Sequence, residues 1–271
     1  REARYSPAWT PELAPQPPRR PVRLQRRTAG TPSPTTAAAF GERPTRPLLR
    51  RGVGYPLPPW LKGIRLPDIP IRFSSQVYRY LRYYGTSRVG KRILAHALGK
   101  MKRFEHLIRA ELRRHGLPQS LIYVALIEST FRPTTVSYAG AAGLWQFMPY
   151  GGAIYGLKRT FWVDERFNPD RSTRAVMYYF KDLYRRFGNW EMALAAYNAG
   201  YNGMMRAVRK YNTNDYWRLC EFEAGMPYQT MAYVPKFFAI AVVAENLKRF
   251  GIRPRTPSST SAASSGKAER K

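Results

Sequence analysis

Apolar positions recur at helical spacing through most of the middle of this chain. Val77, Tyr80, Leu81 and Tyr84 fall three and four residues apart, and Ser74 or Ser75 stands where an N-cap belongs. Ile93, Leu94, Ala97 and Leu98 predict a second helix. Phe104, Leu107, Ile108, Glu111 and Leu112 predict a third, stopped by Gly116 and Pro118. The run from Leu121 to Thr130 is apolar almost throughout, which predicts a buried helix. A long amphipathic helix opens at Asp170-Arg-Ser-Thr173, carries Val176, Tyr179, Phe180, Leu183 and Phe187 on its inner face, and ends at Gly188. Trp190 to Ala199 predicts the next. A last helical stretch runs from about Pro227 to Phe250, stopped by Gly251 and kinked or restarted at Pro235. No alternating strand pattern and no internal repeat is present. The expectation is one all-α domain over residues 63–250.

The flanks read differently. Residues 1–62 are rich in Pro, Arg, Thr and Ala, with breakers such as Pro15-Gln-Pro-Pro18 and Thr31-Pro-Ser-Pro34, and predict a disordered arm. Residues 251–271, Ser- and Ala-rich at their end, predict a disordered tail. The formal net charge of +29 divides into +9 in the arm, +16 in residues 63–250 and +4 in the tail. Because the central part is itself basic, an anionic partner is favoured: nucleic acid, anionic lipid or an acidic wall polymer.

A single cysteine, Cys220, excludes an intrachain disulfide and a multi-cysteine zinc site, and its apolar neighbours predict packing. The longest apolar run, Phe237 to Ala244, is far short of the ~20 residues of a membrane-spanning helix, so no transmembrane span is expected. The chain begins at Arg1, as it would if a leader had been removed or if it were a fragment.

Glu128 is the chief candidate for chemistry. A carboxyl that closes an apolar helix is poorly solvated, and desolvation raises its pKa toward the range of a general acid at neutral pH. Ser129 follows it, with no His close in sequence to activate the hydroxyl, so a local hydrogen-bonding role is expected there. No second catalytic carboxyl stands out. Asp164 and Glu165 lie between Trp162 and Phe167 and read as a packed turn; Asp182 and Glu191 read as exposed. Trp145 reads as core. No metal or organic cofactor is expected.

Three ordered segments, Ala125-Leu-Ile-Glu-Ser129, Gly140-Ala-Ala-Gly-Leu-Trp-Gln-Phe-Met-Pro149 and Ala196-Tyr-Asn-Ala-Gly200, resemble the soluble-lytic-transglycosylase (SLT) domain, a lysozyme-like family that cleaves peptidoglycan. Pro227 to Pro235 resembles that family's last segment. The helical preamble and Trp162-Val-Asp-Glu-Arg166 are most similar to the membrane-bound lytic murein transglycosylase D branch. The resemblance covers about residues 70–250 and implies a lysozyme-like helical domain with a helical N-terminal preamble and disordered basic arms.

It further implies cleavage of the MurNAc–GlcNAc β-1,4 bond with formation of a 1,6-anhydro ring, Glu128 acting as acid and then as base. Ser137 matches the serine that orients the N-acetyl group. Gln146 and Met148 match cleft residues that touch sugar, and Tyr197 and Asn198 match the pair facing the Glu. The implied partners are peptidoglycan glycan strands and other envelope proteins, in a bacterial envelope, periplasmic or outer-membrane-associated setting. Two positions depart from the family pattern: Gln229-Thr230 replaces Glu-Thr, and Gly151-Gly152 replaces Thr-Gly.

Other readings remain open from sequence alone. A nucleic-acid-binding protein would suit the charge, but no recognition motif or aromatic interleaving supports it, and nucleic acid is not expected as the partner. A non-catalytic peptidoglycan-binding protein or a hydrolase on a related fold would share the motifs, and product analysis separates both from a transglycosylase.

Overall fold

The computed structural model describes residues 59–222 and 225–254, and among them every regular element is a helix. The arm and the tail expected at the two ends lie outside the described residues, apart from 59–62 and 251–254. Leu61 and Ile252, one at each of those margins, are buried in the core.

Helix α1 (Ser75–Thr86) starts where the Ser74 hydroxyl accepts from the Val77 N–H, and α2 (Arg88–Arg114) starts where Ser87 accepts from the Gly90 N–H. The corner between them is tight. A Cβ on Gly90 would lie 2.0 Å from the Tyr83 carbonyl oxygen, so only glycine fits. Two helices were predicted over the span of α2, but it is continuous for 27 residues. The two apolar stripes share one register: Leu94, Leu98, Met101, Phe104, Ile108 and Leu112 are all buried on one face. Gly99 between them costs about 1 kcal/mol of helix propensity, which burial of that face outweighs.

A 3₁₀ turn (Gln119–Leu121) leads into α3 (Ile122–Ser129), which is buried as predicted. The chain then turns sharply. Thr130 and Phe131 both adopt left-handed φ values of 54°, costly for a β-branched and a bulky residue. Phe131 is held there by burial, and the N–H groups of both residues donate back to Leu126 and Ala125.

Short α4 (Pro149–Ile154) was not predicted. Helix α5 (Pro169–Phe187) and α6 (Trp190–Ala199) match their predictions, with Asn168 rather than Asp170 capping α5 and Gly188 in the left-handed conformation at its end. Two further unpredicted helices follow, α7 (Tyr201–Tyr211) and α8 (Tyr216–Glu221).

The centre of the fold is α9 (Tyr228–Glu245), packed against α1, α2, α3 and α6. From Tyr233 to Val243 only Lys236 is not fully buried, the pattern of a helix enclosed on all sides. Pro235 was predicted to kink or restart this helix; α9 does not restart there but continues through it as one element. A proline there leaves the carbonyl four residues earlier, that of Met231, without its helical partner. The Tyr216 hydroxyl supplies one, donating to that carbonyl at 2.8 Å. The end comes earlier than predicted, because the Asn246 side chain bonds both backbone groups of Arg65 instead of continuing the helix.

Candidate active site

Glu128 lies in the last turn of α3, where that helix packs against α9. The Tyr233 hydroxyl donates to Glu128 Oε1 at 2.7 Å. Lys236, one turn further along α9, adds a positive charge near the same carboxyl. Burial pushes the Glu128 pKa up to about 7, against the opposing effects of the Tyr233 hydrogen bond and the Lys236 charge. The Lys236 ammonium is itself pulled down by burial and partly restored by Glu128. The result is a carboxyl that changes protonation state near neutral pH, which a group working first as acid and then as base requires.

Two tyrosines connect this carboxyl to open space. Tyr179 on α5 and Tyr197 on α6 are half-buried and sense the Glu128 charge, and both line a cavity of about 790 Å³. Gln146, Met148, Tyr150 and Tyr155 form part of the same wall. Glu128 is not on that wall and adjoins the cavity through the two tyrosines.

The loop from Thr135 to Phe147 has isolated β-bridges but no extended strand, and its carbonyls take partners from side chains in addition to its own backbone N–H groups. Motif residues supply these side chains. Ser129 donates to Leu144 at 2.8 Å, Tyr197 to Trp145 at 2.6 Å, and Gln146 Nε2 to Gly143 and Thr135 at 2.9 and 3.1 Å. Ser137 Oγ accepts from the Ala141 N–H. Arg166 Nη1 reaches both Gly140 and Phe147, at 2.7 and 2.8 Å. The same guanidinium pairs through Nε and Nη2 with Asp164. Burial raises the Asp164 carboxyl, but Arg166 more than offsets this and holds it below the usual range. Gly143, at φ 84°, is required: a Cβ there would meet the Arg166 carbonyl at 1.9 Å.

Of the predicted site residues, Gln146, Met148 and Tyr197 line the cavity, while Ser137 and Asn198 do not. Asn198 Oδ1 accepts from the Thr230 hydroxyl, tying α6 to α9. The donor to the Glu128 carboxyl is Tyr233, which sequence reasoning missed although it lies within the quoted Pro227–Pro235 segment. Only the packing of α3 on α9 reveals the pair. Arg166 was likewise missed, whereas Asp164 and Glu165 hold the packed turn expected of them. Trp145 is core and donates to Thr173. Glu191 is not exposed as predicted: it is half-buried, accepts from the Trp217 indole, and is raised in pKa by burial. The Cys220 thiol is pushed up to about 11 by burial, consistent with packing.

Tyr233→Phe should raise the Glu128 pKa further, because it removes a hydrogen bond that favours the ionised form. The titration profile of Glu128 is therefore expected to shift to higher pH. An unmoved profile would show that the bond does not tune the carboxyl.

Residues 105–220 match the family model described as Transglycosylase SLT domain. Membrane-bound lytic murein transglycosylase D of Escherichia coli (strain K12) is 32% identical over 187 residues, which are 67% of this chain and 39% of that protein. Membrane-bound lytic murein transglycosylase C of Haemophilus ducreyi is 24% identical over 156 residues, 52% of this chain and 42% of that protein. This chain thus spans less than half the length of these curated relatives. Among solved structures, the 70 kDa soluble lytic transglycosylase of Escherichia coli aligns with a TM-score of 0.42 at 25% identity, over 57% of this chain and 26% of that one. Residues 105–220, which contain both Glu128 and the loop braced around it, are the part of this chain that matches the Transglycosylase SLT domain family.

Proposed function

We propose that this chain is a peptidoglycan lytic transglycosylase of the bacterial envelope, with residues 63–250 as its catalytic unit and Glu128 as its single catalytic carboxyl. The observation that carries this reading is the half-buried Glu128, hydrogen-bonded to Tyr233 and poised with a pKa of about 7 beside a tyrosine-walled cavity.

In this reading a glycan strand lies along the cavity and runs on past Tyr179 and Tyr197 to the half-buried Glu128, where it places its MurNAc–GlcNAc β-1,4 oxygen. The protonated carboxyl gives its proton to the leaving oxygen as the bond to C1 breaks, and the substrate's 2-acetamido group stabilises C1. The resulting carboxylate then takes the proton of the MurNAc 6-hydroxyl while that oxygen bonds to C1. The carboxyl is regenerated, no water is consumed, and the product is a 1,6-anhydro sugar. Tyr233 holds the carboxyl in place in both protonation states. Gln146, Met148 and Tyr197 contact the glycan, with Ser137 and Asn198 on the flanking turn and helix orienting it.

Mass spectrometry of peptidoglycan digested by this protein tests the reading. The expected fragments are lighter by one water than hydrolysis products. Fragments with free reducing ends would identify a hydrolase instead, and binding without cleavage a wall-binding protein.

A further inference from the structure

The segment between α4 and α5 carries an apolar tip that the proposed chemistry does not use. Phe161 and Trp162 are 89% and 86% exposed and Val163 is 54% exposed, unusual for three consecutive apolar residues. They are held outward by structure. Thr160 and Val163 close a tight turn with an N–H to carbonyl bond of 2.7 Å, and the Thr160 hydroxyl oxygen accepts from the N–H groups of Trp162 and Val163. Beneath the turn, Arg159 and Asp164 form a β-bridge, Glu165 N–H donates to the Lys158 carbonyl, and Lys158 N–H donates to the Glu165 carboxylate. The two rings touch edge to face, 4.7 Å between centroids, so each supports the other.

The charges around the tip are sorted by depth. Asp164 and Glu165 are 16% and 11% exposed, while their ion-pair partners Arg159 and Arg171 are 61% and 62% exposed. Lys158 is exposed as well. The collar therefore presents positive charge outward beneath an apolar point.

We propose that this hairpin is a membrane-docking wedge that inserts Phe161, Trp162 and Val163 into the interfacial region of a bilayer rich in anionic headgroups, with Lys158, Arg159 and Arg171 against the phosphates. An apolar tip over a basic collar is the chemistry of interfacial binding, and an indole at the headgroup level satisfies both its apolar body and its N–H. A sugar site would need placed polar side chains beside the rings, but the Thr160 hydroxyl is already engaged by its own turn. The proposal does not depend on the cleavage chemistry.

The test is co-sedimentation of the full chain with phosphatidylglycerol/phosphatidylcholine vesicles in 0.5 M salt, where purely electrostatic binding is screened. Wild type is expected to partition at least about tenfold more strongly than Phe161→Ser/Trp162→Ser. Phe161→Leu/Trp162→Leu is expected to retain most of the partitioning, because insertion needs apolar bulk and not a ring face. Wild-type emission should shift to the blue on vesicles, and this shift should be absent in Trp162→Phe. Matching thermal unfolding confirms that the variants are folded. Equal partitioning of wild type and the serine variant overturns the proposal. So does a Trp162-dependent shift on chitohexaose with none on vesicles, which would make the tip a glycan platform.

Discussion

Glu128→Gln is expected to reduce peptidoglycan cleavage by at least about a thousandfold, since one positioned acid–base group contributes on the order of 10²–10⁴ and Glu128 serves in both half-reactions. The same substitution is expected to stabilise the fold, in a pH-dependent way that identifies the cause. The carboxyl's ordinary pKa of 4.5 is raised by burial to about 7 in the folded protein. An acid with a raised folded pKa is tolerated when neutral and costs stability when ionised. That cost is absent below about pH 4.5, grows through the window between 4.5 and 7, and is complete above it. At about 1.4 kcal/mol per pKa unit it amounts to roughly 3–3.5 kcal/mol at pH 8. Glutamine keeps the shape and removes the titration, so the variant should gain that amount at pH 8 and almost nothing at pH 4.5. Lys236 loses its partner in the variant, which trims the gain without changing its sign. Urea unfolding of both proteins at the two pH values provides the measurement. A gain of equal size at both would show that the carboxyl is not poised by burial.

What was legible in the sequence divides by range. Local signals carried the long helices: Ser74 and Gly188 mark their ends, and an apolar face with period near 3.6 marks their bodies. Glu128 was legible for the same reason, as a carboxyl at the end of an apolar run. What failed depended on tertiary partners. Helix α2 was divided in two because its two apolar stripes stand apart in sequence, and their shared register shows only in the face they bury together. Pro235 looked like an interruption because Tyr216, the donor that satisfies the carbonyl it strands, lies 15 residues away from that carbonyl in sequence. Tyr233 is 105 residues from Glu128, and nothing in its own neighbourhood marks it as a hydrogen-bond donor to a carboxyl. Motif residues expected to face sugar were also found holding the chain to itself, Tyr197 through Trp145 and Gln146 through Thr135 and Gly143. A motif records that a residue is needed, and both uses leave the same trace.

Arg166→Met is expected to be the most destabilising change in the region, costing about 3–5 kcal/mol, the range for breaking a buried ion pair from one side. Arg166 is 5% exposed and has no apolar substitute for its three tasks: it neutralises Asp164 and satisfies the carbonyls of Gly140 and Phe147. Its loss leaves Asp164 with the residue-166 backbone N–H and the longer, exposed Arg159 contact of 3.7 Å, strands the Gly140 carbonyl, and leaves the Phe147 carbonyl with the Ala142 N–H alone. Arg166→Lys should recover little, because an ammonium cannot reproduce the planar fork that spans a carboxylate and two carbonyls. Adding Asp164→Asn to Arg166→Met should restore part of the stability by removing the stranded charge, and urea unfolding of the set measures the coupling. The kinetic consequence follows from where the groups sit. Glu128 and Tyr233 belong to α3 and α9, whereas Arg166 braces the loop that carries Gln146 and leads into Met148 on the cavity wall. At a temperature where Arg166→Met remains folded, the loss should therefore appear mainly as weaker glycan binding, a raised KM, with the pH dependence set by Glu128 unchanged. A loss confined to kcat, or a displaced pH profile, would mean that the clamp acts on the carboxyl itself and not on the loop.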